Sequence, residues 1–399
     1  MKSHILIVAD GRSPTALSWI DNVLSLGFRV SLISTFHCEK PEGIAHFYVL
    51  PVAFSRFSTG SKDKKKETTH DARKFVKRFA PLLQKFRYTL GPLSLLRYSR
   101  QYQTLVKEIA PDLVHALRIP YEGMLASYTP KHIPLILAIW GNDLTLHAKG
   151  SWMMRHFTRQ SLSRANGLTS DTQRDIRLAI NWGLSPDSPI LTLPGSGGLD
   201  LDAIENTQAF NNRYGIPENT TWVVNPRGLR PGSVHQEIFF EAIPKVLKER
   251  RDISFICPSL DGQPQALAWV KQFDVGKHSF LLPKLPQSQL WSLFKKSALF
   301  ISPSSHDGTP NTLLEAMACG CFPILGDIES LREWINHGKN GLLVDPRDPH
   351  ALAHSILTGL NQPNLRHTAA ETNYEIIKNR ASKNITRPKI EDYYSKFLD

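Results

Sequence analysis

Disulfide frameworks, membrane spans and secretory leaders all lack support in this 399-residue chain. Its four cysteines are Cys38, Cys257, Cys319 and Cys321, and the last two, one residue apart, form neither a zinc nor a redox spacing. Reduced thiols in a cytoplasm are the expectation. No stretch reaches about 18 consecutive apolar residues, which excludes a spanning helix and leaves peripheral contact as the form of any membrane association. The opening apolar run, residues 5–9, is too short for a signal core and meets Asp10 and Arg12 at once, so it reads as a buried strand. With 41% hydrophobic and 21% charged residues the composition is globular, and the length suits two domains of about 100–200 residues each.

Positive charge, by contrast, is in excess, with a formal net of +12. Residues 54–107 hold 14 Lys and Arg against Asp63, Glu67 and Asp71, a local net of +11. Within them the run Lys62, Lys64, Lys65, Lys66 precedes Phe75, Phe79, Leu82, Leu83 and Phe86, which alternate with Lys74, Lys77, Arg78, Lys85 and Arg87. That spacing predicts a basic amphipathic helix, either solvated or docked on anionic lipid headgroups. No RNP-type aromatic motif, zinc finger or recognition helix accompanies the charge, so nucleic acid is not the expected partner.

Along the chain, the strand at 5–9, a turn at 10–14, a helical stretch over 15–26, Gly27 as a stop and a strand at 29–34 spell a parallel βαβ unit. Apolar runs at 113–116 and 134–138 read as central strands of the same sheet, the second leading into Trp140-Gly141-Asn142-Asp143. After a strand at 190–193, Pro194-Gly195-Ser196-Gly197-Gly198 marks a crossover between domains. A second alternation follows: strand 222–224, helix 238–247, strand 253–256, helix 287–297, strand 299–301. There is no short-period repeat. The expected fold is α/β, with two Rossmann-like, doubly wound parallel-sheet domains facing across a cleft. Their expected bounds are 1–195 and 196–372, with a helical tail, 373–399, packing back on the first.

The most informative stretch runs from Ser302 to Gly320, just past the end of the strand at 299–301, where open α/β sheets bind ligands. Pro310 suits the first turn of a helix, so the amides of Asn311, Thr312 and Leu313 together with the helix dipole would offer an anion site fit for a diphosphate. Asp307 lies in the preceding loop and Glu315 inside the helix. One carboxylate would take sugar hydroxyls and the other a ribose diol. These residues alone leave two readings open, a sugar-nucleotide pocket or a capped helix with incidental acids.

This stretch resembles the retaining glycosyltransferases of family 4, which have the GT-B fold. Their pattern sets two acidic residues with seven residues between them in a Gly, Pro and Leu-Glu-Ala-Met-Ala framework. Asp307 and Glu315 have that separation, and Gly308, Pro310 and Leu314 to Ala318 fill the framework. Downstream, Arg332-Glu333-Trp334-Ile335 and Gly338 to Pro346 are similar to the family's next loop and strand. In the first half, Pro111-Asp112-Leu113-Val114-His115 and Trp140-Gly141-Asn142-Asp143 are similar more loosely. Three positions depart from the pattern: Asp307 stands where most relatives have Glu, no Lys follows Arg227 at the family's spacing, and Leu117 stands where many relatives carry a second His.

The resemblance implies transfer of a hexosyl unit from a nucleoside diphosphate sugar to an acceptor hydroxyl with retention, with no metal and no cofactor beyond the donor. Asp307, Glu315 and Arg227 are the expected catalytic residues. Arg227, Arg230 in place of the missing Lys, Gly308 and the amides of Asn311, Thr312 and Leu313 would hold the diphosphate, and Glu315 the ribose. The attack is expected on the front face, the leaving phosphate helping to take the proton. Gly11 and Arg12, in a turn expected to close over both substrates, with His115, Asn142 and Asp143, form the expected acceptor side, although a buried histidine is the other reading of His115. The expected acceptor is a glycan or lipid-linked molecule of surface polysaccharide or glycoconjugate synthesis. The expected place is the cytoplasm, peripheral at the inner face of the cell membrane through residues 54–107. The alternatives are a catalytically silent nucleotide-sugar-binding partner or sensor subunit, and another GT-B enzyme such as a nucleotide-sugar epimerase, for which no acid/base pair is evident.

Overall fold

Apolar runs too hydrophobic for a half-exposed sheet dictate a parallel one covered on both faces. The computed structural model describes residues 3–53, 88–89 and 91–398 and divides into two compact units, residues 1–197 with 387–399, and residues 198–386. The basic helix expected over residues 62–87 lies outside the described residues. Among the described residues no helix is long and apolar enough to cross a membrane.

Among the described residues the first unit holds seven parallel strands: β1 (His4–Ala9), β2 (Arg29–Ser34), β3 (Phe47–Val49), β4 (Leu113–Ala116), β5 (Leu135–Ile139), β6 (Gly167–Ser170) and β7 (Ile190–Thr192). Their order is β3-β2-β1-β4-β5-β6-β7, which reverses between β1 and β4 and so places a switch point there. Every residue of β1 is buried. Helix α1 (Pro14–Ser25) starts where Ser13 Oγ accepts from the Ala16 N–H and Pro14 presets the first turn. It lays Trp19, Ile20 and Val23 on one sheet face. Helix α2 (Leu93–Ile109), the described remainder of the basic segment, covers the other with Leu95, Tyr102 and Val106. Burying each such side chain is worth about 1.5–3 kcal/mol.

The second unit repeats the plan with β8 (Thr221–Val224), β9 (Ile253–Pro258), β10 (Ser279–Leu282), β11 (Leu299–Ser302), β12 (Phe322–Gly326) and β13 (Leu342–Val344), in the order β10-β9-β8-β11-β12-β13. Its switch point lies between β8 and β11. Helices α3 (Gln236–Leu247), α4 (Gln287–Lys296), α5 (Asn311–Ala318) and α6 (Pro349–Asn361) sandwich this sheet. Phe239, Phe240 and Ile356 pack on one face, and Phe294, Leu313, Leu314 and Met317 on the other. Strand β13 lies within residues 338–346, where the resemblance put a strand, whereas β3, β6, β10 and β12 were not anticipated from the sequence. The first of these is three residues long, and Pro323 argues against a strand at β12 because it has no N–H for the ladder.

At the end of the chain, α7 (Pro363–Arg380) stays in the second unit, with Ala369 and Ile377 in its cores and Asn373 bonded to Asn340 at 2.8 Å. Residues from Arg387 onward, within α8 (Lys383–Ser395), belong to the first unit. Tyr394 there accepts from Trp19 Nε1 at 2.9 Å, and Tyr393 donates to the Leu168 and Pro189 carbonyls at 3.0 Å each.

Candidate active site

The connections after β8 and β11 meet at the switch point of the second unit. Residues 225–232 leave β8 through a loop held from below, where Asn225 Nδ2 donates to Gln236 Oε1 at 2.8 Å and Gln236 Nε2 donates to the Gly228 carbonyl at 2.9 Å. Gly228 takes φ +60, beside Ser259, a conformation strained for other residues. This brings Arg227 inward. It is 6% exposed, ion-paired through Nη2 with Asp307 Oδ2, and donates from Nη1 to Thr312 Oγ1 at 3.1 Å. Its Nε–H is buried and has no acceptor among the described residues.

The Asp307 loop is fastened on three sides. Ser330 Oγ donates to the Asp307 carbonyl at 2.7 Å, the Gly308 amide donates to Asp307 Oδ1 at 3.2 Å, and Trp334 Nε1 donates to Thr309 Oγ1 at 2.8 Å. Pro310 is the residue before α5 rather than its first helical residue. Its carbonyl accepts from the Leu313 N–H at 2.9 Å, and Leu313 thereby leaves the expected set of anion-binding amides. Asn311 and Thr312 stay at the helix start. Glu315, one turn on, is 4% exposed and accepts from Gln287 Nε2 at 2.7 Å. Burial pushes its carboxyl above the ordinary carboxylate range, against the pull of Gln287 and the nearby Trp291 indole N–H. Arg230 is exposed, with Nε on the Arg227 carbonyl at 3.3 Å.

The structure therefore joins Arg227, Asp307, Gly308 and Thr312 in one constellation, with Glu315 held beside it on the same helix. Asn225, Gln236, Gln287 and Ser330, which position these groups, escaped the sequence reading because an isolated Gln or Ser carries no spacing signal.

In the first unit the expected acceptor-side residues separate. Gly11 is buried and donates to Ser34 Oγ at 3.1 Å, and Arg12 is exposed and forks onto Asp10 at 3.0 Å. Asn142 is half-buried after β5. His115 and Asp143 are corrected. His115 is 0% exposed, between Tyr394 OH at 2.7 Å and Thr169 Oγ1 at 3.3 Å. Trp19 Nε1 donates to the same Tyr394 oxygen, and burial pushes the His115 pKa down to about 3, which keeps the ring neutral. A neutral core histidine, it takes no part in a cleft. Asp143 is also 0% exposed, accepting from Arg118 Nε at 2.8 Å and from the Ile119 and Trp140 amides at 3.2 Å each. It ties two connections together and has no face for a ligand.

Two Rossmann-like units, one with a buried arginine and a helix start at its switch point, define an α/β protein of the GT-B fold. The family described as Glycosyl transferases group 1 matches residues 210–376, and that described as Glycosyl transferase 4-like matches residues 4–172. An uncharacterized glycosyltransferase of Methanocaldococcus jannaschii is 31% identical over 303 residues, 75% of this chain and 78% of that protein. The Bacillus subtilis protein TuaC, named for teichuronic acid biosynthesis, is 22% identical over 90% of this chain and 87% of its own length. The Escherichia coli serotype-specific mannosyltransferase WbdA is 24% identical over 61% of this chain, a match that spans 32% of WbdA. Among solved structures, Anabaena HepE in complex with UDP and glucose superimposes with a TM-score of 0.71 at 16% identity, covering 99% of this chain and 100% of HepE. Sucrose-phosphate synthase from Thermosynechococcus elongatus gives 0.73 at 13% identity, covering 99% of each chain. The chain belongs to the group 1 glycosyl transferases and is an enzyme of that class.

Proposed function

We propose that this enzyme moves a hexosyl unit, with retention and without a metal ion, from a nucleoside diphosphate sugar to a glycan or lipid-linked acceptor of surface polysaccharide or glycoconjugate synthesis. The observation that carries the reading is Arg227: a buried cation at the start of α5, with a buried Nε–H that lacks an acceptor among the described residues. A diphosphate would supply that acceptor. The guanidinium and the amides at the helix start meet the charge that grows on the leaving group, the demand a metal ion would otherwise meet. Asp307, gripped by Arg227, receives a sugar hydroxyl, and Glu315 takes the ribose. The UDP bound by HepE and the polysaccharide and mannosyl names of TuaC and WbdA support the donor and acceptor classes.

The test is release of UDP or GDP from a panel of nucleotide sugars in EDTA, with a bacterial glycolipid extract as acceptor. One donor should be consumed only with acceptor present, while Asp307→Ala and Glu315→Ala fail and Arg227→Ala loses about 10²–10³-fold in kcat. A donor that binds without turnover would favour the silent partner or sensor.

The +11 segment supports docking at the inner face of the membrane. Replacing Lys64, Lys65, Lys66, Lys77 and Arg78 by Gln should weaken binding to phosphatidylglycerol vesicles at least tenfold; unchanged co-sedimentation would refute the docking.

A further inference from the structure

The switch point of the first unit carries a cavity of about 330 Å³, lined by Asp10 and Arg12 after β1, Phe36 after β2, Arg118 and Glu122 after β4, and Trp140 after β5. Small-molecule pockets begin near this size, about 300 Å³. Glu122 is 4% exposed; Thr35 Oγ1 donates to its Oε1 at 2.6 Å, and its Oε2 is buried with no partner among the described residues. A buried carboxylate oxygen left without a donor is costly, and native proteins rarely retain one to no purpose.

The cations nearby are already matched. Arg12 forks onto Asp10 at 3.0 Å and lies 3.7 Å from the centre of the Phe36 ring, while Arg118 Nε is on Asp143 at 2.8 Å. Asp10, Asp143 and Glu122 outnumber the two guanidiniums, so the cavity has no surplus of positive charge to draw in a phosphate, and among the described residues no group of three or more His, Cys, Asp or Glu could hold a metal ion. An oxygen acceptor, guanidinium N–H groups and two aromatic rings complement a sugar ring, whose hydroxyls both donate and accept and whose C–H face suits an aromatic surface.

We propose that this cavity binds a neutral saccharide and that Glu122 sets its specificity by accepting the hydrogen of a sugar hydroxyl at Oε2. The inference rests on the reading of this enzyme as a transferase to a glycan acceptor, and it names the residue that selects that acceptor. Burial pushes the Glu122 carboxyl up, Thr35, Arg118 and its own backbone amide pull it down, and Asp10 adds to the rise. The charged groups around it are Asp10 and Arg12 from the β1 connection and Arg118, with Asp143 behind it. The ionised carboxylate is the better acceptor, so saccharide affinity falls as pH drops through this raised value.

The experiment is saturation-transfer NMR on the full chain with the methyl glycosides of glucose, mannose, galactose, rhamnose and N-acetylglucosamine, alongside a UDP titration. At least one glycoside should bind the wild type, more weakly as pH is lowered. Glu122→Gln keeps an oxygen for Thr35 but offers an N–H₂ where Oε2 stood; it should weaken that glycoside at least tenfold, flatten the pH profile and leave UDP affinity unchanged. Binding of none of the five by the wild type, a wild-type affinity independent of pH, or equal affinity in Glu122→Gln would each overturn the proposal. Failure of UDP to bind while a glycoside binds as described strikes the donor reading and leaves this site standing.

Discussion

Glu315 shows what the proposed donor site costs the fold. Its carboxyl is held above the ordinary range by burial, so the stability it contributes is present below the unfolded value and is lost as pH rises through the folded one. Glu315→Gln should therefore melt higher than wild type at pH 7–8 and close to it at pH 4, while UDP affinity falls; thermal melts at both pH values with a UDP titration check this. Asp143 is the opposite case, a carboxylate that serves the fold alone. Asp143→Ala leaves Arg118 and the amides of Ile119 and Trp140 without their acceptor and should cost about 3 kcal/mol by urea denaturation. UDP affinity should not change, since the residues proposed to hold the nucleotide lie in the other unit. Side chains such as these look alike in the sequence, acids beside glycines, and only their surroundings divide them into ligand-binding and structural.

At the scale of the element, the proposed donor site depends on how closely β12 approaches the loop after β11. A Cβ at Gly326 would lie 2.0 Å from the Ser304 carbonyl oxygen, a backbone atom that yields only if the loop moves. Gly326→Ala should destabilise by about 1–3 kcal/mol and weaken UDP binding through the displaced Asp307 loop, read by denaturation and calorimetric titration. Nothing local to Gly326 announces this role, because the clash is with a strand neighbour rather than with the residue's own turn. The strands and helices themselves were legible: β2 and β4 sit where apolar runs bounded by turn residues put them. The short edge strand β3 and the proline-interrupted β12 were not, because their pattern is weak until a neighbouring strand pairs with them.

Across the whole molecule, each unit closes its own core, and the first does so with residues from the end of the chain. Tyr394 joins Trp19 and His115 across 375 and 279 residues of sequence. Tyr394→Phe keeps the ring but leaves the Trp19 N–H and His115 Nδ1 without that hydroxyl, and should cost about 1–3 kcal/mol. A lower melting temperature with unchanged UDP affinity is the expected result, and an unchanged melt would show the aromatic packing alone to suffice.

The sequence by itself determined the fold class, the family and the spacing of Asp307 and Glu315, because hydrophobic period, turn residues and helix geometry are local properties written along the chain. Tertiary structure alone decided that Arg227 grips Asp307 across 80 residues, that His115 and Asp143 turn inward, that the Leu313 amide is spent on Pro310, and that Glu122 lines a cavity with a carboxylate oxygen to spare. Each depends on which strands become neighbours, and strand order follows from burying both sheet faces at once, a sum over the whole chain that no short segment contains.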